Sequence, residues 1–173
     1  MRRVITGVDS DGQSVIVSDS NDTTNWHLSS PKVEIVDGES VVNTPISLVP
    51  ELVTDPNEGD QYIALLWRSS EGVPTFPFKD EAGGHEQFEM EPPGDGFFWR
   101  FHSWGANCDV SALHTTDTLD VLLVLEGEVE LVLDTGSVLL KTGDSVVLPA
   151  VSHGWRTEPG CKMLQMMQRP KRI

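Results

Sequence analysis

The 173 residues are enough for one domain with a substantial core. Lys and Arg number 12 against 27 Asp and Glu, a net charge of −15. A chain this acidic repels phosphate backbones and anionic membrane surfaces, so neither nucleic acid nor membrane is expected as a partner.

Cys108 and Cys161 form no CxxC arrangement, which argues against a disulfide framework or a zinc knuckle. Arg2-Arg3 is followed by no apolar signal segment, and no run is long and apolar enough to span a membrane. A soluble, cytoplasmic protein is therefore expected. The basic ends, Arg2-Arg3 and Arg169 with Lys171-Arg172, read as solubilising tails.

Residues 1–18 open as two strands around the turn former Asp11-Gly12. Residues 19–31 are rich in Asp, Asn, Ser and Thr and read as a loop anchored by Trp26, with His27 as a packing or surface residue. Pro45, Pro50 and Pro56 deny a long helix to residues 32–56 and leave only edge strands. Gln61 to Arg68 is almost wholly apolar, so a strand buried on both faces is predicted there.

Ser69 to Gly96, with four prolines and five glycines, is a long excursion of the kind that serves function or moves. Within it, His85, Glu86, Glu89 and Glu91 could suggest a metal cluster, but a solvated charge run is the preferred reading. Residues 97–104 resume as a strand whose period of two places Phe98, Arg100, His102 and Trp104 on one face. Turned inward, Arg100 could clamp a carboxylate and His102 could act in acid–base chemistry. The plainer reading, an outward polar pair, is preferred at this point.

Downstream, strands are predicted at 119–125, 128–133, 137–140, 145–148 and 161–168, separated by turns at Glu126-Gly127, Asp134 to Gly136, Thr142 to Asp144 and Glu158 to Gly160. Short strands, regular turns and no convincing helix indicate an antiparallel sandwich or barrel. If residues 114–120 are extended, His114, Thr116, Thr118 and Asp120 all point to one side. Such a polar stripe is costly inside a barrel unless its members bind one another, water, a metal or a ligand. His153, just beyond Pro149, is placed to approach from a facing strand. The wall around them would be aromatic, from Trp99, Phe101, Trp104 and Trp155, with Ser152 as a further hydrogen-bond donor. No phosphate-cradling glycine loop or dinucleotide fingerprint is present.

These two segments resemble the paired motifs of the cupin superfamily. His114, Thr116, Asp120 and Gly127 stand where its first motif has His, His, Glu and Gly; Gly143, Pro149, His153 and Thr157 stand where its second has Gly, Pro, His and Asn, with one residue fewer before the His. The run His114-Thr-Thr-Asp-Thr118 further resembles a subgroup of small single-domain cupins without assigned chemistry. The likeness implies an all-β fold: one antiparallel jelly-roll barrel with an N-terminal β extension. Residues 1–104 would be an arm of extra strands and a long loop packing on the barrel, residues 105–173 would carry the core motifs, and the whole chain would be one domain.

Metal-binding cupins hold their ion with three histidines and a glutamate, so the resemblance implies that His114, Asp120 and His153 are both the catalytic residues and the ligands of a divalent metal. Fe(II), Mn, Ni or Zn would suit two imidazoles and a carboxylate. Thr116, Thr118, Arg100, His102, Trp99 and Trp155 would bind the substrate. The preferred function is a metal-dependent enzyme acting on a small organic molecule, by dioxygenation, decarboxylation, isomerisation, dehydration or lyase chemistry. Because Thr116 replaces a ligand, two alternatives stay open: a metal-free sensor, carrier or scaffold, or a metal-free acid–base catalyst. Cupins commonly pair through their sheets, so a homodimer is expected, joined through the aliphatics of 121–125 and 129–133.

Overall fold

The computed structural model describes residues 1–37, 39–73 and 79–171. Pro74, Pro77 and Arg172 fall outside them. Within the described residues every regular element is a β-strand, so no helix is long and apolar enough to cross a membrane.

The chain opens with a hairpin of β1 (Arg3–Val8) and β2 (Ser14–Ser20), turning at Gly12, whose φ is 76°. Arg3 ties it to the main body through the Leu66 carbonyl (3.0 Å) and the Asp80 carboxylate (2.6 Å). The central element is one ten-stranded antiparallel sheet. Eight of its strands run in the order β6 (Ile46–Val49), β3 (Thr24–Leu28), β7 (Gln61–Ser69), β8 (Phe97–Trp104), β14 (Cys161–Gln168), β10 (Leu119–Leu133), β13 (His153–Thr157) and β9 (Cys108–His114). Strands β11 (Gly136–Lys141) and β12 (Ser145–Pro149) also pair with β10, and the separate hairpin of β4 (Val33–Val36) and β5 (Glu39–Val42) lies against β9.

The sheet curls because β10 serves both halves. Its first part pairs with β14 and β12, its second with β11 and β13, and the change comes at a register shift between Val124 and Glu126. The two strands expected at 119–125 and 128–133 are therefore one, and Glu126-Gly127 is a bend within it. A bulge lets a strand turn a corner without ending its ladder.

Residues 19–31 are likewise not all loop. Local composition favours turns there, yet β6 and β7 flank β3 and supply its ladder, while Trp26 and Leu28 are buried. Thr23 and Asn25 satisfy one another inside (2.9 Å), and His27 stacks on Tyr62 with ring centroids 4.6 Å apart. Strands β9 and β13 were also illegible, being short and interrupted by polar residues. Strand β8 pairs with β7 on one side and β14 on the other, so β7 and β8 belong to the curled sheet.

The excursion is held down by ion pairs. Arg68 meets Glu81 (2.8 Å) and Glu89 (3.0 Å), His85 meets Glu89 (3.1 Å), and Arg169 meets Glu91 (3.0 Å). The acids expected to form a solvated run are thus largely paired, Glu86 alone of them being exposed. Cys108 and Cys161 are free thiols in the core, pushed by burial up to about 12.

Candidate functional site

The inward faces of β7, β8, β14 and β10 meet the hairpin β4–β5 around one cavity. About 90 Å³ of it is open to the centres of water-sized molecules, room for a small ligand only. Aligned neighbours in the sheet supply its rows: His102 lies opposite Ile63 and Met163, Arg100 opposite Gln165, and Gln165 opposite Leu122. Phe88 and Met90, from the excursion, complete the wall.

At one end, His114 and His153 face each other across β9 and β13, with ring centroids 4.6 Å apart. Each donates its Nδ1–H to a backbone carbonyl two residues earlier, His114 to Ala112 (3.0 Å) and His153 to Val151 (2.9 Å). That bond leaves each Nε2 carrying a lone pair. Burial lowers the pKa of both, and each of the two rings is neutral near pH 7. The expected stripe is present: His114, Thr116, Thr118 and Asp120 are all buried, alternating with more exposed neighbours.

Asp120 ends a buried relay. Gln61 Nε2 donates to His102 Nδ1 (3.0 Å), His102 Nε2–H donates to Gln165 Oε1 (2.8 Å), and Gln165 Nε2 donates to Asp120 Oδ2 (3.0 Å). This chain of donors requires a neutral His102, and burial beside Arg100 indeed pushes its pKa down to about 3. Thr118 approaches the Asp120 carboxyl but gives its hydroxyl hydrogen to Thr116 Oγ1 (2.8 Å), leaving Asp120 Oδ1 buried without a partner. Burial raises the Asp120 pKa, with the nearby Thr118 hydroxyl, the hydrogen bond from Gln165 and the charge of Arg100 offsetting only part of that.

No family model matches the chain. Two curated proteins of Diaporthe leptostromiformis, phomopsin biosynthesis cluster proteins C′ and D, are each 47% identical over 47 residues, 27% of this chain. That stretch spans 25% of either relative's length. Among solved structures, an RmlC-like cupin from Shewanella frigidimarina is 17% identical with a TM-score of 0.43, covering 64% of this chain and 78% of its own. A putative ethanolamine utilization protein from Salmonella typhimurium is 14% identical with a TM-score of 0.46, covering 99% and 98%. What decides the matter is the sheet itself, which curls so that His153 of the second motif lies opposite His114 of the first. The fold is that of a cupin.

Within this fold, His114, Asp120 and His153 line the same cavity. Among the described residues no set of three or more His, Cys, Asp or Glu is placed to hold a metal ion. Thr116 fills the second histidine's place, and Asp120 Oδ2 is committed to Gln165. The donors that remain free are His114 Nε2, His153 Nε2 and Asp120 Oδ1, and the structure does not gather them as a ligand set.

Arg100 and His102 point inward, only 3% and 7% exposed, which overturns the outward reading. His102 has both nitrogens engaged, by Gln61 and Gln165, and holds these neighbours in place. Thr116 and Trp155 line the cavity, while Thr118 is buried behind Thr116. Trp99 stands on the opposite face of β8, 44% exposed, and Phe101 packs with Ala64 and Leu66 away from the site, because the period of two sends both outward. Gln61 and Gln165 escaped the sequence reading, since glutamine is neither a usual ligand nor a usual catalyst. Period two over β14 would have grouped Gln165 with the buried Cys161, Met163 and Met167.

Proposed function

We propose that this cupin is a metal-free acid–base catalyst acting on a small, largely apolar organic molecule, by an isomerisation, dehydration or cyclisation. The observation that carries it is the pair of neutral imidazoles, His114 and His153, offering Nε2 lone pairs in a cavity that also holds Asp120. The pKa values of the histidines move down and that of Asp120 moves up. Their proton affinities therefore converge, which lowers the cost of passing a proton between them. The names of the curated relatives are in keeping with a biosynthetic step.

The reading is tested by deuterium incorporation from heavy water into a panel of small ketones, 2-oxo acids and 3-hydroxy acids, followed by NMR. Exchange at carbon is expected to survive EDTA and to fall by about 10²-fold or more in His114→Ala and His153→Ala. Stoichiometric metal in protein purified without chelator, or a panel that shows no exchange, would sink it.

The chain is further proposed to act as a pair of copies. Trp99, Met166, Val121 and Val147 are successive cross-strand neighbours on the outer sheet face, with Leu119 and Leu123 beside them. Trp99, Leu119, Leu123 and Val147 are exposed, and none of the six carries charge in a chain of net −15. Two such faces meet about a two-fold axis without opposing carboxylates. Light scattering should give a dimer mass for the wild type and a monomer mass for Leu123→Lys with Val147→Lys; a wild-type monomer at micromolar concentration speaks against it.

A further inference from the structure

Arg100 is the one cationic side chain among the residues lining the cavity. Its guanidinium hydrogen-bonds only neutral acceptors: the carbonyls of Met90 (3.1 Å) and Glu89, and the Met167 sulfur at 3.6 Å. One face is covered by Phe98, 4.2 Å from the ring centroid, with Phe88 at 5.6 Å. The edge donor, Nε–H, is buried without a partner. A buried positive charge with an unused N–H calls for an anion.

We infer that the ligand is a monocarboxylate with a small apolar body, its carboxylate received by Arg100 and its body by Ile63, Phe88, Trp104, Trp155 and Met163. This deepens the acid–base reading and rests on it: the carboxylate fixes the molecule at one end while its reacting carbon lies towards His114 and His153. A monoanion matches one charge and one free N–H, whereas a phosphate dianion would bring charge that no lysine or second arginine in the wall could meet. The carboxylate also enters beside Asp120, and two carboxylates sharing one buried site hold a proton between them.

The test is thermal unfolding of the full chain with millimolar benzoate, phenylacetate and hexanoate, against the corresponding amides. The carboxylates are expected to raise the unfolding midpoint and the amides to leave it unchanged. Arg100→Lys, which keeps the charge but loses the planar edge, should weaken carboxylate binding about ten-fold. Asp120→Asn, which removes the neighbouring negative charge, should tighten it several-fold, an effect in the direction opposite to loss of structure. Equal shifts by the amides, no shift by any carboxylate, or weaker binding in Asp120→Asn would overturn the inference. Exchange chemistry without carboxylate preference sinks this inference and leaves the acid–base reading standing; carboxylate preference without exchange does the reverse.

Discussion

Gly127→Ala should cost the fold about 3–5 kcal/mol, enough to bring a domain of ordinary stability close to unfolding at room temperature. Two effects add. Gly127 has a φ of 74°, where a side chain costs roughly 1–2 kcal/mol. A Cβ there would also sit 2.2 Å from the Gly160 carbonyl oxygen and 3.1 Å from Cys161 Cα, both backbone atoms that cannot swing aside. The position matters because β10 passes from one half of the curled sheet to the other at this point, and β14 packs directly on the bend. Urea midpoints measure the effect, with Gly83→Ala as the control: nothing lies within 4 Å of its Cβ, and that variant should be neutral or slightly stabilised. An unchanged midpoint for Gly127→Ala would show that the bend relaxes at no cost.

Acid should destabilise the protein well before its surface carboxylates are titrated, and His102 should dominate the loss. In the unfolded chain this histidine takes up its proton around pH 6.5; in the fold it does so only at about 3. Between those values the unfolded state holds a proton that the native state lacks, so stability is full above pH 6.5 and falls as the pH drops. The slope is about 1.4 kcal/mol per pH unit, or about 5 kcal/mol across the window. His114 and His153, also lowered, act in the same direction. Asp120 acts in the opposite one: its raised pKa makes the native state keep a proton that the unfolded carboxylate has released, so acidification relieves that cost.

His102→Gln separates these contributions. A glutamine amide can accept from Gln61 and donate to Gln165 as the imidazole does, but it does not titrate. Urea unfolding from about pH 7 to pH 4 should show a slope shallower in the variant by about 1.4 kcal/mol per unit. Parallel declines in the two proteins would assign the acid sensitivity elsewhere.

Much of the candidate site was legible because its residues obey short-range rules. The alternation that put His114, Thr116, Thr118 and Asp120 on one side holds in the fold, and so does the alternation that grouped Phe98, Arg100, His102 and Trp104. Periodicity specifies which residues share a face and leaves open which face is inside. For β8 the answer came from its neighbours, since pairing with β7 and β14 lines His102 up with Ile63 and Met163 in the interior. Strand β3 was hidden for the same kind of reason: its residues favour turns locally, and only the ladders offered by β6 and β7 hold them extended. The acids of the excursion looked solvated because their partners, Arg68 and Arg169, are distant in sequence.

By itself the sequence determined most of the strand periods, the turn positions and the polar stripe that belong to an all-β fold carrying two histidines on neighbouring strands. Only the tertiary structure decided that Arg100 and His102 face inward, that Gln61 and Gln165 link into a relay ending on Asp120, and that His114, Asp120 and His153 line one cavity. Alternation is a property of neighbouring residues, whereas orientation, hydrogen-bond partners and convergence on a point depend on which strands the long-range ladders bring together.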